Sequence, residues 1–304
     1  MKKIWMKMMV ATLLTFGILA PATSYAADNT PPKAIDEKLG VPIVVYGANL
    51  SEAEKESVKK SLKVNDEPEI EEITVAGEDL VKYIKDSNAS SRMYSSAKIT
   101  RKEKGQGLVI EIVTPSNITQ VTSEMYANAM LTAGIEDATV QVAAPKAVTG
   151  HSALVGIYKA YEVTTGEKLD TERTDVANEE LSVATTLAES AGVDDAKVAE
   201  LLTEIKKQIA ELKPATREDV EQIVQDQLSK LEINLSEKDR QLLVDLMDKI
   251  SKLNIDFSKW SEQLNDISNT LQEKFGALME DKGFWASVKN FFSNLKDSVA
   301  SWFN

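Results

Sequence analysis

VPIVVYGANLSEAEK, residues 41–55, changes periodicity half-way along. Val41 to Tyr46 is largely β-branched and aromatic, the composition of a strand. Gly47 ends the run. Ser51 then stands three residues ahead of Glu54, the reciprocal pairing that caps a helix N-terminus. The stretch reads as strand, turn and helix, the helix running to about Lys63. A fold that contains it mixes the two kinds of element from the outset.

The same order recurs downstream. Residues 69–76 (EIEEITVA) alternate as a strand, Gly77 ends them, and Glu78 to Lys85 forms a short helix. Residues 96–104 and 108–114 flank Gly105-Gln106-Gly107, a hairpin signature. Leu108, Ile110 and Ile112 share one face of the second strand. Residues 118–133 have a helical period, and TVQVA at 139–143 is a last strand. The order β-α-β-α-β-β-α-β predicts a two-layer α/β domain over 41–147. Residues 27–40, with Pro31-Pro32, form a flexible lead-in.

Beyond Pro145 only helices are expected: 150–163, 175–189, 193–212 and 217–231. Leu246, Ile250, Leu253, Phe257, Trp260, Leu264, Ile267 and Leu271 then alternate spacings of four and three, a heptad seam that predicts one long helix. Its partner is a stripe of the same chain (Val198, Leu201, Ile205, Ile209, Leu212 or Val220, Ile223, Val224, Leu228, Leu231), or a second copy in a coiled coil through 246–271. The fold class is therefore α+β: an α/β domain, then a helical bundle over 148–282. Last comes an amphipathic helix at 283–304, whose aromatic face holds Phe284, Val288, Phe291, Phe292, Leu295, Val299, Trp302 and Phe303, with Trp285 beside it. That face either rests on the bundle or contacts a membrane surface or envelope partner.

The first 26 residues have the layout of a secretory signal: Lys2, Lys3 and Lys7, an uncharged run from Met8 to Ala20, and Ser24-Tyr25-Ala26 at a cleavage site. The run is shorter than the roughly 20 residues of a spanning helix. Cleavage after Ala26 removes three lysines and no acid, so net charge moves from −13 to −16. Such a surface does not suit nucleic acid. There is no cysteine, hence no disulfide. Secretion or retention at the extracytoplasmic envelope is the expectation.

Three stretches, VPIVVYGANLSEAEK (41–55), ITVAGEDL (73–80) and VTGHSALVGIYKAYE (148–162), resemble the YpuA-like family of exported bacterial proteins, a domain of unknown function. The resemblance implies export. It carries over no catalytic residue.

Candidate chemistry is sparse. His151 is the one histidine, followed directly by Ser152. Adjacent residues make an awkward Ser-His pair, so Ser152 or Thr149 reads as a helix cap. One His and no Cys do not make a zinc site. No spacing pairs the acidic clusters across a substrate, as an exported hydrolase would require. Gly47 and Gly77 each stand between a strand and a helix, where backbone amides can meet an anion, but tight turns are the simpler reading. Lys98, Arg101, Lys102 and Lys104 form a basic group that could contact an anionic polymer or headgroup, or guard a strand edge. No cofactor or metal is expected. These readings converge on an exported, non-enzymatic envelope protein that binds a partner or a wall or membrane component. A membrane-active protein and a carboxylate hydrolase are the alternatives.

Overall fold

The computed structural model describes residues 39–275. The signal layout, the lead-in up to residue 38 and the aromatic face at 284–303 lie outside these residues.

Five strands form one sheet: β1 Ile43–Gly47, β2 Glu71–Val75, β3 Ser96–Arg101, β4 Leu108–Ile112 and β5 Ala138–Ala143. Their spatial order is β2-β1-β3-β5-β4. β1 runs parallel to β2 and β4 parallel to β5, while β3 is antiparallel to β1 and β5 on either side. Between them lie α1 Glu52–Ser61, α2 Gly77–Tyr83 and α3 Ser123–Ala133. The element order is the expected one, and the Ser51–Glu54 capping box closes in both directions.

The expected hairpin does not form. β3 and β4 flank Gly105-Gln106-Gly107, but β5 lies between them. The glycines allow the turn, with φ of 87° and 66° at Gly105 and Gly107. Asp137, just ahead of β5, then occupies it. Its Oδ1 accepts from the amides of Gly105 (3.0 Å) and Gly107 (2.8 Å), and its carbonyl accepts from Lys102 N–H (2.9 Å). The connection thus steps over the start of β5.

Every residue of β1 is buried, because both faces are covered. Val44 and Tyr46 meet Val58 of α1 and Leu62 at its C-cap, which adds a partial third layer to the expected two. Ile43 and Val45 face the main core. There α4, His151–Thr165, crosses β1, β2 and β3. Gly156 permits the close approach: a Cβ would stand 3.0 Å from Val45 Cγ1.

The remaining helices are α5 Thr171–Ala191, α6 Asp195–Leu212, α7 Arg217–Lys230, α8 Glu237–Lys252 and α9 Phe257–Phe275. α5 begins earlier than its apolar period suggests, because Asp170 caps it through the amides of Glu172 and Arg173. α3 begins later, at Ser123, because Thr122 caps it and Ile118 bridges to Val148. The heptad seam spans two helices rather than one. Leu246 and Ile250 belong to α8, Phe257 to Leu271 belong to α9, and Leu253 adopts extended backbone at the break (ψ 146°). The spacing records which side chains are buried, not whether the hydrogen-bond ladder continues between them. The seam lies in the chain's own core, α9 resting on α6 and α3. One apolar core joins the sheet to this bundle.

Candidate cleft at the strand ends

β1 ends in Gly47, and β2 is followed by Gly77 at the first position of α2; the reason for both glycines is steric. The segment after α2 folds back across these ends. A Cβ on Gly47 would stand 2.3 Å from Met93 O, and one on Gly77 would stand 2.1 Å from Ala89 O. Both contacts are with backbone, so no side chain can fit. Asn49 fixes the segment, donating its N–H to Met93 O (3.1 Å) and accepting Met93 N–H on Oδ1 (2.7 Å). The glycine positions therefore face carbonyl oxygens, not an anion.

Lys159 of α4 joins the other side to the same turn, reaching Thr74 O (2.7 Å) and Asp79 Oδ2 (2.8 Å). Burial raises the Asp79 carboxyl, but Lys159, Lys82 and the Ala76 amide outweigh it and hold it below the usual range.

Between this segment and the helices lies a cleft of about 680 Å³. Leu80, Ile84 and Met93 line one side, Val148 and Val155 another, and α5 closes it with Asp175, Asn178, Glu179 and Ser182. Both carboxylates are already engaged from outside. Asp175 accepts Lys85 N–H (2.8 Å), with Lys85 Nζ at 3.8 Å, and Glu179 binds Lys249 Nζ at 2.6 and 2.7 Å. Arg92 lines the rim, exposed, and makes no hydrogen bond or ion pair among the described residues.

α4 starts at the cleft. Its N-cap is Gly150 at φ 108°, without a side-chain cap, so neither Ser152 nor Thr149 plays the expected role. The cap position is crowded instead: Tyr126 donates its hydroxyl to Gly150 O at 2.6 Å, and a Cβ there would strike Tyr126 Oη and Ile118 Cγ2, each at 2.8 Å. His151 and Ser152 follow, both lining the cleft. Burial pushes the His151 imidazole down, only partly countered by Glu189, so the ring is neutral at pH 7. Its Nε2 lies 3.4 Å from Thr185 Oγ1, a hydroxyl also directed at the Leu181 and Ser182 carbonyls. Among the described residues no group of three or more His, Cys, Asp or Glu is placed to hold a metal ion.

The basic group expected on β3 is dispersed. Lys98 and Arg101 lie on opposite sheet faces, as a period of two requires. Lys98 is buried against Glu67 (2.6 Å), and Arg101 donates to Thr164 O (3.3 Å). Lys102 Nζ is held by the carbonyls of Gln106 and Gly107, and Lys104 is exposed.

A model of the family described as protein of unknown function (DUF1002) matches residues 46–267. The chain belongs to this family. It is also 36% identical, over the whole length of both chains, to the uncharacterized protein YpuA of Bacillus subtilis (strain 168). No solved structure matches. The three stretches that carry the resemblance either line the cleft or hold its crossing segment in place. Residues 41–55 supply Gly47 and Asn49, residues 73–80 supply Gly77 and Leu80, and residues 148–162 supply the α4 wall. Arg92, Asp175 and Glu179 carry no sequence signal of their own, because only the crossing segment and α5 bring them there.

Proposed function

We propose that this chain is an exported, non-enzymatic protein of the cell envelope, and that it binds a component of that compartment in the cleft between segment 91–94, α4 and α5. The cleft carries the reading. Its volume of about 680 Å³ falls within the ~300–1,000 Å³ of ligand sites, and it combines apolar walls with a few polar groups, as such sites do. Its chemistry favours holding over reacting: both carboxylates are neutralised by lysines, and His151 meets a threonine already directed elsewhere. The signal layout of the first 26 residues supports export.

Cells expressing the chain should yield a product starting at Ala27 outside the cytoplasm. Native mass spectrometry after incubation with envelope extract should show an added mass on that product, absent from Ser152→Trp, whose indole fills the cleft. A cytoplasmic product retaining residues 1–26, or an unshifted mass, refutes the reading.

A further inference from the structure

We infer that the cleft takes an amphipathic anion, an apolar body with one carboxylate or phosphate head. This rests on the binding reading above and adds the sign and shape of the ligand. Leu80, Ile84, Met93, Val148 and Val155 offer the body an apolar bed with no charge to desolvate.

The sign follows from which charges are already compensated. Asp175 and Glu179 have lysine partners drawn from outside the lining, Lys85 and Lys249, so their charge is balanced before any ligand enters. Arg92 has no counterpart among the described residues, and it is the only Lys or Arg among those that line the cleft. A guanidinium offers a planar fork that matches carboxylate and phosphate oxygens. Arg92 stands exposed at the rim, which places the head at the mouth and the body inside. The first turn of α4 has no side-chain cap, so the positive end of that helix adds to the same sign. His151, neutral through burial, adds no charge deeper in. Without its first 26 residues, which hold three lysines and no acid, the chain goes from −13 to −16, so its long-range field opposes an anion and selection must be local.

Isothermal titration calorimetry of residues 27–304 against decanoate and decylammonium, both below their micellar concentrations, tests this. Decanoate should bind at least ~10-fold more tightly than decylammonium, and Arg92→Gln should weaken decanoate about three- to tenfold, the scale of a charge-assisted contact at a solvated rim. Ser152→Trp should abolish binding at an unchanged melting temperature, and Ser182→Trp on the α5 wall serves where that variant does not fold. Phosphatidylglycerol vesicles distinguish the source of the head: displacement of decanoate assigns it to a lipid, and no displacement to a free amphiphile. Equal affinity for the two amphiphiles, or indifference to Arg92→Gln, overturns the anion and leaves a binding cleft standing. Unaltered decanoate affinity in both tryptophan variants places the site elsewhere and overturns the inference. Binding by neither amphiphile also overturns it, and the mass shift on envelope extract then decides the wider reading alone.

Discussion

Lys206 shows how far a single residue departs from its sequence pattern. It follows Ile205 on the apolar stripe of α6, where a lysine is expected to reach solvent. Instead α3, α5 and α9 close around it, and it is fully buried. Its Nζ binds Glu180 Oε1 at 2.7 Å and Asn128 O at 2.9 Å, with the Trp260 ring centroid at 5.4 Å. Glu180 is 1% exposed and accepts the Thr132 hydroxyl. Burial pushes the Lys206 amine down, while Glu180 supports its charge. Removing one partner strands the other. Lys206→Met should cost about 3–5 kcal/mol in urea unfolding, and adding Glu180→Gln should recover at least half; a double variant as unstable as the single one refutes this coupling. Lys98 carries the same lesson. A run of basic residues reads as a solvated face, but strand periodicity and the Glu67 partner place Lys98 inside.

Individual elements were more legible than the pairings between them. Strand composition, glycine stops and the capping box placed β1, α1, β2 and α2 in order, because those signals are local. The hairpin failed because its decisive partner, Asp137, lies about 30 residues further along. Sequence spacing around Gly105 and Gly107 describes a turn, and no local signal says which strand lies beside it. The seam over α8 and α9 encodes burial but not helix continuity, since the two helices break at Leu253. The cleft was half legible: the glycines and His151 stood out, and their steric role did not. At this scale Asp137→Ala should release the amides of Gly105 and Gly107, destabilising the fold by ~1–3 kcal/mol. Amide exchange should accelerate at those two residues and at Lys102. Unchanged protection there would show that the carboxylate does not hold the crossing.

The whole molecule responds to pH through a few groups of opposite sign. Glu200 on α6 is pushed up to about 7. Burial is the main cause and Glu204 the next, with Lys230 and Lys197 opposing. Between its ordinary value of 4.5 and about 7, the folded state keeps a proton that the unfolded chain releases. Stability from this group is full below that window and is lost as pH rises through it. His151 acts the other way. Its folded value is depressed, so its contribution is present above 6.5 and is lost on acidification. Comparing variants isolates one group: Glu200→Gln should raise the melting temperature at pH 8 by a few degrees and flatten the decline between pH 5 and 8. A variant with the wild-type slope refutes the assignment. The placement of β5 carries a further consequence, in the order of events during folding. A growing chain that has not yet reached Ala138 has β3, β4 and a glycine turn ready to zip together, a local pairing that forms in microseconds. The finished sheet needs those two strands apart, with β5 inserted and the distant β1 on the other side of β3. The cheapest early contact is thus one the mature sheet lacks, and each molecule that makes it must open it again. How fast this chain reaches its sheet depends on when β5 arrives as well as on how well the strands fit.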